Sequence, residues 1–209
     1  DSIINCAGYN QVDDCEKSQR LAFQLNAEGA GNLARVAKEI RAALFQISSD
    51  YIFSGDKRGE YLEDDEPAPL NIYGKSKLEG EFLVRKEAQE FCIIRTCWLF
   101  GPGGENFITK ILKKWQEGAK ELKVVSDERG RPTYSRDLAK ALRLAVEKEL
   151  RGIYHFCNEG AVSWFELAEE VFEIIGNEPE SNPIVKKLGQ GAVPLGRGPN
   201  LIPVSAEEY

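Results

Sequence analysis

Histidine is nearly missing from this sequence: His155 is the only one in 209 residues. Structural and catalytic zinc sites draw on His and Cys, so a metal centre is disfavoured and none is expected. Cysteine is present as Cys6, Cys15, Cys92, Cys97 and Cys157, an odd number with no C-x-x-C spacing. These read as reduced, mostly buried thiols of a cytoplasmic protein. Basic charge is not in excess either. The formal net charge of -7 speaks against a nucleic-acid partner. No apolar run approaches the roughly 18 residues of a membrane span. The opening "DSIINCAG" has neither the charged start nor the long apolar core of a signal peptide.

What is there is ordinary in bulk. Hydrophobic residues make up 42% and charged residues 29%, the balance of a globular chain. The length suffices for one domain with a core, or a domain plus a small lobe.

The patterning is more informative. "SIINCAG" is a short apolar run that opens into a turn at Gly8. From about Glu16 to Ile40 the period becomes helical, with Leu21, Leu25, Leu33, Ala37 and Ile40 near one face. "ALFQISS" at 43–49 is again strand-like, and a loop carrying Gly55, Gly59, Pro67 and Pro69 follows. Residues 72–88 read as a helix, and "FCIIRT" at 91–96 as a third buried strand. Strand, helix, strand, helix, strand with long crossovers predicts an α/β, Rossmann-like doubly wound parallel sheet. Beyond Gly101 the texture changes to a smaller α/β lobe. Its helices are "NFITKILKKWQEG", a second in "YSRDLAKALRLAVEKE", and "SWFELAEEVFEIIG" with Ser163 as N-cap and Glu166 three residues on. "LKVV" and "GIYHFC" read as strands. The residues after Gly176 are rich in Gly and Pro and carry no assignable pattern.

One expected signature is absent. Dinucleotide-binding sheets place a G-x-G-x-x-G turn after their first strand, and no such turn stands near the start of this sequence.

The candidate chemistry lies at strand ends. Tyr73 and Lys77, in "YGKSK", are four apart on the predicted helix and so share a face. A phenol titrates near 10, and a neighbouring cation favours its phenolate, so the pair suits protonation of an oxyanion. As an isolated spacing, it is far more often an ordinary solvated stretch of helix. "ISSDYIF" puts Ser48, Ser49, Asp50 and Tyr51 at the carboxyl end of the second strand, where ligands of parallel sheets gather. The bland alternative is a Ser/Asp turn satisfying its own backbone. "NCAGYN" offers small residues that let a ligand approach the backbone.

Taken in order, "NCAGYNQVDDCE", "LNAEG", "SSDYIFSG", "PLNIYGKSKLEGE", "RTCWLFGPGGENF", "GRPTYSRDLA" and "SWFELA" resemble the extended short-chain dehydrogenase/reductases, and among them the dTDP-4-dehydrorhamnose reductase family. The likeness runs from residue 1 to about Ala168 and returns weakly in "PVSAEEY". It implies that residues 1–100 are the C-terminal half of an NAD(P)-binding Rossmann domain, with its glycine-rich turn upstream. It also implies that 101–209 is mainly a substrate lobe, with some segments returning to the sheet. The implied cofactor is NADPH or NADH, and the implied substrate a dTDP-sugar ketone. Family members can dimerise. By resemblance, Tyr73 is the proton donor, Lys77 supports the phenolate and the nicotinamide ribose, and Ser49 holds the oxygen. Ala7, Gly8, Tyr9 and Asn10 lie against the cofactor, with Asn10 where threonine is commoner. Val12, Asp50, Tyr51 and Trp98 face the substrate. Asn26 matches an asparagine that holds a relay water, or is simply a polar residue that bends its helix.

Two other readings remain open on the sequence. The regulatory β subunit of methionine adenosyltransferase resembles the same motifs without being catalytic, but Trp98 and "GPGGENF" favour the enzyme. Another nucleotide-sugar reductase or epimerase would keep the same Tyr and Lys. The arginines of "RGRPTYSRD" could meet a diphosphate, though salt bridges and caps are their commoner use, and "EYLEDDEP" reads as a solvated acidic loop.

Overall fold

The computed structural model describes residues 1–177 and 198–208. The Gly- and Pro-rich stretch 178–197 lies outside them. In chain order the elements begin with β1 (Ser2–Asn5), α1 (Val12–Lys17), α2 (Gln19–Phe23), a π-helical turn (Gln24–Glu28), α3 (Gly29–Glu39) and β2 (Ala43–Ser49). A 3₁₀ turn (Asp50–Ile52), α4 (Ile72–Glu87), β3 (Phe91–Thr96), β4 (Leu99–Phe100), α5 (Phe107–Gln116) and β5 (Glu121–Val125) follow. The chain continues through β6 (Arg129–Gly130), β7 (Thr133–Tyr134), α6 (Ser135–Glu147), β8 (Gly152–His155), β9 (Val162–Ser163), α7 (Trp164–Asn177) and β10 (Asn200–Val204).

These elements form two compact units. Asp1–Cys97 with Asp137–Cys157 make the first, and Trp98–Arg136 with Asn158–Tyr209 the second. In the first unit β1, β2, β3 and β8 form one sheet in that order, every pairing parallel. The predicted strands stand where expected because β2 and β3 are buried on both faces. Leu44 and Ile93 face α3 and α4, where Ala30, Ala34 and Val84 cover them. Phe45 and Cys92 face the other way, onto Leu138, Leu142 and Ala145 of α6. A strand buried twice is mostly apolar, and that run is readable in sequence even with Gln46, Ser48 and Arg95 buried in it.

The helix expected over Glu16–Ile40 is present but differs in two ways. It is interrupted at Ser18, between α1 and α2, and widened by the π turn. The predicted apolar face is also wrong in part. Leu21, Leu25 and Ile40 are 42%, 48% and 56% exposed, while Ala22, Ala30, Ala34 and Ala37 are buried. The cause is close approach. A β-carbon at Gly31 would stand 3.2 Å from the Leu83 side chain on α4. Only small residues fit so tight a seam, so the alanines go in and the leucines stay out.

The second unit is built on β5 paired in parallel with β10. Helices α5 and α7 pack there through Ile111, Leu112, Trp115, Ala168 and Phe172. Both start on caps. Asn106 and Thr109 bond each other's backbone N–H at the head of α5. At α7, Ser163 N–H donates to Glu166 Oε2 (2.7 Å) and Glu166 N–H to Ser163 Oγ (3.0 Å), the capping box read from sequence. The two-residue ladders β4–β7 and β6–β9, and β10 itself, had no sequence counterpart.

Candidate active site

Helix α4 carries the Tyr-x-x-x-Lys pair, and its seat is fixed at both ends of its first turns. Asn71 Oδ1 accepts from Gly74 N–H at 2.8 Å, and Glu16 Oε1, reaching from α1, accepts from Ile72 N–H at 2.7 Å. Two glycines then let the helix sink inward. A β-carbon at Gly74 would fall 2.1 Å from the Tyr51 carbonyl oxygen, and one at Gly80 would fall 2.2 Å from the Asn26 carbonyl oxygen. Glycine costs a helix about 1 kcal/mol per residue against alanine, so two in sixteen residues were a legible sign of close packing.

The inward face carries Tyr73, Lys77 and Glu81 at successive turns, exposed by 9%, 6% and 2%. Tyr73 meets the carboxyl end of β2. The Ser49 hydroxyl acts on the phenol and favours its ionised form, and the Tyr51 ring stands edge-on to it with centroids 5.4 Å apart. Ser49 Oγ also donates to Asp50 Oδ1 at 3.0 Å and accepts from Tyr51 N–H at 3.3 Å. Burial pushes the Tyr73 phenol up to about 12; the Ser49 hydroxyl pulls it down, and Asp50 and Cys15 push it further up. Burial likewise lifts the Asp50 carboxyl to about 6 against the pull of its Ser49 and backbone hydrogen bonds.

Lys77 is in place on the same face. Its Nζ donates to the Ile47 carbonyl at 2.7 Å. Burial draws the ammonium down to about 8, opposed by the Glu81 carboxylate. The arrangement can do one thing well: hold a protonated phenol and a hydroxyl beside one another, with a cation one helical turn away. A secondary alkoxide is far more basic than a phenolate, so a phenol even this weakly acidic still gives it a proton.

The carboxyl end of β1 supplies a shelf. Ala7, Gly8 and Asn10 are exposed. Their path is set by Asn5, whose Oδ1 accepts from Ala7 N–H at 3.0 Å, and by Asn26. The Asn26 amide pairs with both backbone groups of Tyr9, accepting from N–H at 2.7 Å and donating to C=O at 3.0 Å. Its second amide proton goes to Ser76 Oγ at 2.9 Å, and Ser76 in turn donates to Tyr73 C=O at 2.7 Å. Asn26 therefore ties the shelf to the Tyr73 helix. Ser76, inside the quoted pentapeptide, was not singled out from sequence, although a small hydroxyl on the buried face of a helix is itself a signal. Val12 packs beside Tyr9 against the cluster of Cys15, Ala22 and Tyr73.

A third group was missed entirely. Arg95 of β3 donates Nε to Glu81 Oε1 at 3.0 Å and Nη2 to Glu81 Oε2 at 2.8 Å, a buried bidentate pair. Its Nη1 donates to the Glu63 carbonyl at 3.1 Å and faces His155 Nε2 at 3.4 Å. Glu63 Oε1 accepts from His155 N–H at 2.9 Å. The acidic loop expected to be merely solvated is thus pinned to the sheet through Glu63.

Trp98 belongs to the second unit. It stands at φ 45°, a left-handed conformation rare outside glycine. Its ring stacks on Trp164 with centroids 3.4 Å apart, and a β-carbon at Gly130 would strike it at 2.3 Å. Arg129, one of the candidate diphosphate arginines, is spent on Glu166 at 3.0 Å and on the Ala161 carbonyl at 2.8 Å. Among the described residues, no cluster of three or more His, Cys, Asp or Glu could hold a metal, and no helix is long and apolar enough to cross a membrane.

The model of the RmlD substrate binding domain matches residues 1–195. Among curated proteins, the chain is 43% identical over 178 residues to the spore coat polysaccharide biosynthesis protein SpsK of Bacillus subtilis, covering 85% of this chain and 62% of that one. It is 39% identical over 186 residues to a dTDP-4-dehydrorhamnose reductase of Mycobacterium tuberculosis, covering 86% and 61%. The crystal structure of a dTDP-4-dehydrorhamnose reductase from Bacillus anthracis in complex with NADP superposes with a TM-score of 0.86 at 38% identity, over 99% of this chain and 66% of that one. The chain thus spans about three fifths of the length of the curated relatives it matches.

Proposed function

The chain belongs to the RmlD substrate binding domain family, and from that premise we propose that it takes part in NADPH- or NADH-dependent reduction of the C4 ketone of a dTDP-linked deoxysugar, dTDP-4-dehydro-L-rhamnose being the substrate. The observation that carries this reading is the buried Tyr73 phenol, acted on by the Ser49 hydroxyl from the carboxyl end of β2, with Lys77 one turn along the same buried face. The names of its relatives support the sugar and the polysaccharide context.

The residues present fit a nicotinamide cofactor on two observations. The shelf exposes Ala7, Gly8 and Asn10, and a β-carbon at Gly8 would crowd Asn10 Oδ1 at 3.1 Å and Asn26 Oδ1 at 3.2 Å. The Lys77 ammonium, which uses one donor on Ile47, keeps others for a ribose hydroxyl. When bound, the reduced cofactor supplies the hydride. Everything else falls to side chains. Tyr73 gives its proton to the oxygen that becomes an alkoxide. Ser49 turns its hydroxyl from Asp50 to that oxygen and holds it in line. Lys77 stabilises the phenolate left behind. Asp50 and Tyr51, at the same strand end, are the substrate contacts of this reading, with Val12 beside them. Trp98 is the aromatic substrate contact of this reading. Fixed donors aimed at a developing charge contribute on the order of 10²–10³ in rate each.

The test is Tyr73→Phe in the full-length protein. Turnover of the dTDP-sugar ketone is expected to fall about 10²–10⁴-fold while cofactor affinity stays close to wild type. Undiminished turnover refutes the role of Tyr73.

A further inference from the structure

Lys77 is a cation in a poor place for one. Only 6% of it is exposed, and its Nζ has a backbone carbonyl for a partner. A buried charge that is not balanced is driven to neutrality. The titratable and charged groups around it come from four elements. Tyr73 and Glu81 flank it on α4, Asp50 stands on the 3₁₀ turn, Cys15 on α1, and Arg95 on β3 beyond Glu81. The π turn brings the neutral amide of Asn26. Of these, Glu81 is the anion that acts on Lys77, one helical turn away on the same buried face.

Glu81 is not free to move toward it. Both carboxylate oxygens are taken by Arg95, at 3.0 Å and 2.8 Å. Arg95 is itself held by the Glu63 carbonyl at 3.1 Å and abuts the His155 ring. The neighbours fix that ring's protonation. Tyr61 C=O, 3.2 Å from Nδ1, can only accept, and Arg95 can only donate to Nε2, so the neutral tautomer with the proton on Nδ1 satisfies both. The carboxylate thus stands at a fixed distance from Lys77 and works through space.

We infer that Glu81 is a positioning residue for Lys77: its carboxylate, locked by Arg95, keeps the buried ammonium charged at neutral pH. The inference deepens the reductase reading, which needs a cation at Lys77. A purely structural Glu81 would serve only to neutralise Arg95 and would leave Lys77 indifferent to its removal.

The experiment reads Lys77 directly in the full-length protein, by pH titration of lysine ¹³Cε resonances, with Lys77→Arg identifying its signal. The wild-type midpoint is expected at about 8. Glu81→Gln is expected to lower it by about one pH unit. A midpoint that stays put overturns the inference. Should Glu81→Gln fail to fold, the double variant Glu81→Gln/Arg95→Met replaces the ion pair with neutral groups, a change often tolerated. Its midpoint is expected below wild type, because the nearer charge is the anion; a midpoint at or above wild type overturns the inference. Under the reductase reading the alkaline limb of kcat moves with the midpoint. A midpoint that moves while that limb does not upholds the role of Glu81 and refutes that of Lys77 in turnover.

Discussion

The Tyr51 carbonyl oxygen lies 2.1 Å from where a β-carbon of Gly74 would be. A backbone oxygen cannot rotate aside, so Gly74→Ala must push α4 off the 3₁₀ turn that carries Asp50 and Tyr51. The expected cost is about 1–3 kcal/mol of stability by overpacking. Turnover should fall about 10²-fold, since a displacement near 1 Å suffices for that. Gly176, in α7, meets nothing within 4 Å. Gly176→Ala should instead leave turnover alone and add about 0.5–1 kcal/mol. Urea melts of the two variants separate them.

Asn26→Ala removes the clamp on Tyr9 and leaves Ser76 without its donor. With these polar groups losing their partner, the expected loss is about 1–3 kcal/mol per group left buried and unpaired. Cofactor affinity should weaken as well, because the shelf loses its anchor. Equilibrium denaturation and fluorescence titration of cofactor measure the two effects. Unchanged affinity would show that the shelf holds its path without Asn26.

Asp50 gives stability an unusual pH slope. Its folded value of about 6 lies above the unfolded value of about 3.9. The folded state therefore binds the extra proton between those limits, and stability falls as pH rises from about 4 to 6. Asp50→Asn should abolish that component. Thermal melts across this range, compared with wild type, check it, and identical slopes would refute the assignment.

Ser163→Ala deletes one half of the α7 capping box. The expected cost is about 1 kcal/mol, confined to the second unit. Hydrogen exchange at the first turn of α7 should quicken, and exchange in the parallel sheet of the first unit should stay as it is.

What the sequence disclosed depended on how each element is buried. β2 and β3 are buried on both faces, with mostly apolar runs, and were legible to the residue. The α3 seam was not, because its buried positions are Ala30, Ala34 and Ala37, and a search for large apolar residues finds Leu21, Leu25 and Ile40 on the wet side instead. Tyr73, Lys77 and Ser49 could be placed from spacing and resemblance. Glu81, Arg95 and Glu63 could not. Their significance lies in pairings 14 and 32 residues apart that no periodicity encodes. Trp98 was singled out as a ligand wall, but its left-handed backbone and its stack on Trp164 are matters of tertiary geometry.

The bonds that seat α4 reach far along the chain. Ile72 is held by Glu16 across 56 residues, and Ser76 by Asn26 across 50. Contacts of such range form only when the loops between them have closed. The helix can acquire its turns early, but the orientation of its phenol must wait for the first strand and its crossover to dock. Regained turnover after dilution from denaturant therefore clocks the assembly of the whole first unit, and helical circular dichroism should recover ahead of it.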